Sequence, residues 1–138
     1  MSKRIVQVPD GHPVFDSTAV FGTFKYSPAV KAGGLVFVAG QVGLRADGAI
    51  PEAAQEQADW AFKRLGVILE AEGLGFADLV ELVSYHVDID KQLTDFRQVK
   101  DRYIKEEFPA WTILGVAALA RPTLLIEIRA VAAARSQE

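Results

Sequence analysis

The segment LLIEIRAVAA, Leu124 to Ala133, lays two different faces along one strand. Successive side chains of a strand point to opposite sides. Leu124, Ile126, Ile128 and Ala130 therefore share one side, and Leu125, Glu127, Arg129 and Val131 the other. The first side is wholly apolar, and the second is apolar except for one acid and one base. A sheet with one wet face alternates apolar with polar residues. This strand departs from that pattern, so both of its faces call for cover. The run LVFVA, Leu35 to Ala39, makes the same demand. It is continuously apolar and bounded by glycines, as suits a strand buried on both faces.

Working outward, Ala29–Lys31 and Leu35–Ala39 are joined by Gly33-Gly34, a hairpin signal. Tyr26–Lys31 is extended, and Pro28, which lacks a ladder donor, confines it to an edge or irregular strand. Before it, Ile5–Val8 is a short strand, and the stretch to about Gly22 reads as loop. Gly40–Pro51 is loop with a turn at Ala46-Asp47-Gly48. Pro51-Glu52 opens a helix whose stripe is Ala54, Ala58, Ala61, Leu65 and Ile68/Leu69, with Gly73 as its stop. Leu79–Ile89 is a strand in which Val83, Tyr85 and Val87 alternate with Ser84, His86 and Asp88. That alternation puts His86 on the polar side, at a surface or an interface. A second helix spans Thr94–Glu107, Ala110–Val116 is a strand, and Ala117–Thr123 is loop.

Strands, helix, strand, helix, two strands: the order predicts an α+β fold with a mixed sheet and both helices available for one face. Two helices cover about one face of such a sheet. The other face calls either for residues 9–24 folded over it or for self-association, copies packing sheet to sheet in a closed cyclic oligomer.

The chain has 138 residues, the length of one domain spanning 1–138. That length buries about 68% of the unfolded surface, enough for a core without staples. Cysteine is absent, which excludes disulfides, thiolate metal sites and a cysteine nucleophile. His12 and His86 are the only histidines, so no multi-histidine metal site is expected, and no metal. The net charge of −3 argues against a basic nucleic-acid face. No apolar run reaches the length of a membrane span, and the basic start lacks the apolar region of a secretory signal. A cytoplasmic protein without nucleic-acid or membrane partners is expected. Ser84 has no nucleophile motif around it, and the glycines follow no phosphate-loop spacing.

Four stretches in order, YSPAVKAGGLVFVAGQVG (Tyr26–Gly43), EAEGLGFADLVELVSYHVDI (Glu70–Ile89), FPAWTILGVAALARP (Phe108–Pro122) and LLIEIRAVA (Leu124–Ala132), together resemble the RidA family, also called YjgF. The resemblance implies a chorismate-mutase-like α+β fold and a homotrimer with small-molecule clefts between subunits. It also implies cofactor-free hydrolysis of reactive enamines and imines to keto acids and ammonia. Carried over by position, the cleft tyrosine is Tyr26, the conserved turn reads Ala39-Gly40-Gln41 without its serine, and the acid of the last strand is Glu127. A backbone carbonyl that helps hold the attacking water would come from Ile113. After FPA, where the deaminases carry an arginine for the substrate carboxylate, this chain has Trp111.

The residues permit that chemistry. Glu127 can hold water and accept its proton; as a structural group it would instead pair with Arg129 or with a base of a neighbouring subunit. Tyr26 can offer a hydroxyl to a polar ligand group, or be an ordinary half-buried tyrosine. Gly40 can let a ligand approach the backbone, or simply turn the chain. Trp111 offers one N–H and a flat apolar face in place of a guanidinium, so the substrate class is altered. Either the pocket favours an aromatic or apolar ligand stacked on Trp111, or Lys25, Arg45, Arg121 or Arg129 restores anion binding, or Trp111 only fills core. The leading expectation is a deaminase-like hydrolase. Its rival is a homotrimer of the same fold that binds a small metabolite without turnover.

Overall fold

The structure, a computed structural model, describes residues 2–15 and 19–135. Strands β1 (Arg4–Val6), β2 (Ala29–Ala32), β3 (Leu35–Val42), β4 (Leu79–Val87), β5 (Ala110–Val116) and β6 (Ile126–Ala133) form one sheet in the order β1-β2-β3-β6-β4-β5. Neighbours are antiparallel except β4 and β5. A parallel pair needs a crossover, and helix α3 (Ile89–Tyr103) supplies it. Helix α2 (Ala54–Glu70) joins β3 to β4, and a short α1 (Ala19–Phe24) precedes β2. This is the mixed α+β architecture that the order of elements predicts.

Both long helices lie on one face of the sheet and against each other. Phe62, Leu65 and Ile68 of α2 and Phe96 and Val99 of α3 are buried against Val36, Leu82, Ile126 and Ile128. Phe62 stacks on Tyr103 at 5.2 Å and meets Phe96 at 5.6 Å, so aromatic rings join the two helices. Gln57, fully buried, ties the layers together. Its Nε2 donates to the carbonyls of Pro51 (2.8 Å) and Thr123 (3.0 Å), and its Oε1 accepts from Leu125 N–H (2.9 Å). The start of α2 is thereby fixed to the segment entering β6.

Several expectations are corrected. The loop predicted up to about Gly22 gives way at Ala19 to α1, which runs on to Phe24, and residues 16–18 of that stretch lie outside the described residues. Strand β2 starts just after Pro28, and β1 lies outside it, so β2 is not an edge. Helix α3 starts at Ile89, not Thr94, because Asp88 turns the chain there in the left-handed region (φ 55°), and it ends at Tyr103, not Glu107, where Ile104 is extended. The polar register of β4 is reversed: Ser84 and His86 are buried beneath α3. They can be so because Ser84 Oγ lies 2.8 Å from His86 Nε2 and accepts Trp111 Nε1–H at 2.9 Å.

The other sheet face is open in the single chain. Phe37 is 47% exposed and Leu114 42%, so the burial of LVFVA on both faces is not met within one copy. The described part of residues 9–24 does not cover it. Phe15 enters the core, His12 and Val14 line a groove with Phe62 and Val67 of α2, and α1 borders the pocket described next.

Candidate functional site

Strand β3 carries a bulge. Val38 pairs with Ala130 and Gln41 with Ile128, so Ala39 and Gly40 together oppose Arg129. Such an extra residue bends a strand and re-aims its neighbours. Gln41 Nε2 donates to the Ala39 carbonyl (2.9 Å) and clamps the bulge. Two residues along β6, Glu127 turns its side chain into the space left over Gly40, where a Cβ would come within 1.9 Å of Glu127 Oε2. Helix α1 walls the opposite side. Lys25, in the left-handed region at φ 60°, ends it, and Tyr26 follows with its ring edge-on to Phe21 at 5.1 Å.

The result is a pocket of about 450 Å³. Glu127, Tyr26, Gly40, Gln41, Arg64 and Arg121 are among its polar lining, and Phe15, Phe21, Phe24 and Leu124 among its apolar wall. The sequence-predicted Glu127, Tyr26 and Gly40 are thus brought together. Trp111 and Ile113 do not line this pocket. Trp111 packs under α3, 5.9 Å from the Phe96 ring and with Lys100 Nζ 4.7 Å from its centroid. Ile113, on the edge strand β5, is 38% exposed.

Glu127 is half-buried, and among the described residues no hydrogen bond or ion pair reaches its carboxylate. Burial alone pushes that carboxyl above the usual carboxylate range. Arg129 is not its partner, since Arg129 Nε donates to Tyr85 Oη at 3.0 Å. The Tyr26 hydroxyl is pushed up by burial, which outweighs the Arg64 charge drawing it down, and Glu127 adds to the rise.

Of the cations singled out in the sequence, Arg45 pairs with Glu56 at 2.9 Å, and only Arg121, exposed, lines the pocket. Sequence reasoning missed Arg64 of α2. Gln57, Ala61, Arg64 and Ile68 share one buried helix face at spacings of four, three and four, and that spacing is a signal the residues alone carry. Arg64 donates through Nε to the Leu44 carbonyl (2.9 Å) and through Nη2 to the Arg45 carbonyl (2.8 Å), and its guanidinium lies 4.4 Å from the Phe15 ring centroid. Burial lowers its pKa to about 10. Among the described residues no group of three or more His, Asp or Glu converges as a metal site, and no helix is long and apolar enough to cross a membrane.

Residues 17–134 match the family model described as Endoribonuclease L-PSP. The RutC family protein YjgH of Escherichia coli strain K12 is 37% identical over 103 residues, which cover 74% of this chain and 79% of that protein. Human 2-iminobutanoate/2-iminopropanoate deaminase is 34% identical over 112 residues, covering 78% of each chain. The solved structure of protein YjgH superposes with a TM-score of 0.85 and 32% identity over 99% of this chain and 100% of that one.

Proposed function

The chain belongs to the endoribonuclease L-PSP family, also known as RidA or YjgF, and on that premise we propose that it is a deaminase-like hydrolase of small enamines or imines. The observation that carries this is the unpaired, half-buried Glu127 carboxylate seated over Gly40 in a pocket it shares with Tyr26. Imine hydrolysis asks a protein for little: a water held beside the electrophilic carbon and a group to take its proton. A carboxylate with no partner among the described residues is free to hold that water, and a pKa raised by burial makes it a better base than an exposed acid. The Tyr26 hydroxyl, likewise without a partner among the described residues, would orient a polar group of the ligand. The human relative named as an iminobutanoate deaminase supports the same chemistry.

Assembly is part of the proposal. The exposed Phe37 and Leu114 favour burial of the open sheet face against other copies, as a homotrimer, with the pocket becoming a cleft between subunits. A neighbour's β5 edge would then bring Ile113, whose backbone carbonyl would help hold the water. Trp111 spends its one N–H on Ser84, so no guanidinium-like group replaces the deaminase arginine at that position. The altered substrate class follows from that loss. The aromatic wall and the net charge of −3 favour a small ligand over a polyanion such as RNA.

The test is ammonia release from freshly generated imino acids, with aliphatic and aromatic side chains, by wild type and by Glu127→Ala. A rate that falls at least tenfold in the variant supports hydrolysis. Equal rates with every substrate end it, and stabilisation by ligand without ammonia release would favour the binding protein instead.

A further inference from the structure

We infer that Arg64 is the anion-recognising residue of this pocket, and that its ligand is a small organic carboxylate with an apolar or aromatic body. The inference rests on the pocket proposed above as the site, and it names the ligand class that this pocket selects.

Arg64 is only 7% exposed, yet no carboxylate pairs with it among the described residues. An ionised group taken out of water is expensive unless its charge is met. Its two carbonyl bonds, to Leu44 and Arg45, use Nε and Nη2. They satisfy donors without neutralising charge, and they fix the plane of the guanidinium. The Nη1 donors make no hydrogen bond among the described residues, and the side chain lines the pocket. An arginine held in plane by two backbone carbonyls, with donors to spare, is prepared for a planar carboxylate.

Position separates it from the other charge of the site. Glu127 and Arg64 line the same pocket but form no ion pair, and Tyr26 responds to both. The cavity therefore offers an unpaired cation and an unpaired anion at different places. A ligand with a carboxylate at one end and an electron-poor carbon at the other meets both. Phe15, Phe21 and Phe24 line the same pocket with aromatic surface, and Phe15 already lies beneath the guanidinium. Trp111 is occupied under α3, so Arg64 restores from α2 the charge missing at Trp111.

Binding, not turnover, provides the test. The full chain is titrated by calorimetry with 3-phenylpropionate and with its neutral amide, 3-phenylpropanamide. Wild type is expected to bind the acid about tenfold or more tighter than the amide, the contribution of a charged hydrogen bond. In Arg64→Gln that preference disappears. In Arg64→Lys it narrows, and in Arg121→Gln it stays at the wild-type value. Equal affinity for acid and amide in wild type overturns the inference, as does a preference that survives in Arg64→Gln or vanishes in Arg121→Gln. Should Arg64→Gln fail to fold, the Arg64 Nε–H resonance of wild type is followed instead: it shifts with the acid and not with the amide, and no shift overturns the inference. Acid preference through Arg64 without ammonia release from any imine upholds this inference and removes the hydrolase reading. Ammonia release without acid preference does the reverse.

Discussion

The Glu127 carboxylate occupies the volume a side chain at residue 40 would fill, for a Cβ on Gly40 would stand 1.9 Å from Glu127 Oε2. The obstacle is the far end of a flexible side chain, and Gly40 does not need a positive φ. Gly40→Ala is therefore expected to fold, with stability within about 1 kcal/mol of wild type, while the carboxylate swings away. Imine hydrolysis should fall at least tenfold. Urea unfolding paired with the ammonia assay checks both halves, and unchanged turnover would show that the placement of the carboxylate is immaterial.

Gly43, three residues on, is the contrasting case. A Cβ there would meet the Gln57 Cα at 2.4 Å, which is backbone of α2 and cannot step aside. Gly43→Ala is expected to cost about 1–3 kcal/mol by forcing helix and strand apart. The urea midpoint should drop with the slope unchanged.

Glu127 also carries a stability signature. Its folded pKa is raised by burial, so the folded state binds its proton more readily than the unfolded chain. Its contribution to stability is thus fully present below the unfolded value, about 4.3, and is lost as pH rises through the raised folded value. Glu127→Gln, which cannot ionise, should melt higher than wild type at pH 7.5 and lose that advantage near pH 4. Thermal unfolding across that range measures it.

His86 works in the opposite direction. Burial lowers its folded pKa, and its Nδ1 has no partner among the described residues. Above its unfolded value, about 6.5, both states are neutral and the penalty is absent. As pH falls below that value toward the depressed folded one, the unfolded chain takes the proton first and stability declines. The decline between pH 6.5 and 5 should be shallower in His86→Gln than in wild type, as seen by urea unfolding at each pH.

Much of the fold is legible in the residues, and the failures have physical causes. The strand at Leu124–Ala133 and the stripe of α2 are long, regular patterns, and they point to the sheet and its helix cover. The same strand holds out Glu127 as an acid on a mostly apolar face. Helix α1 escapes because AVFGTF has no periodic stripe and carries β-branched and glycine residues. Ser84 and His86 read as a wet face because each is polar alone, and only the fold shows them answering each other and Trp111. Arg64 passes for surface charge, though its spacing from Gln57 and Ala61 already puts it on the buried side of α2.

The most direct test of Glu127 as the base is the pH dependence of kcat/KM for imine hydrolysis in wild type and Glu127→Gln. Wild type should lose activity toward acid along a limb whose midpoint lies above that of an ordinary glutamate, since burial raises this carboxyl. Glu127→Gln should lose about 10²–10⁴-fold at neutral pH and lose the limb with it. A Glu127→Gln enzyme that keeps the wild-type rate and the same acid limb would contradict the assignment.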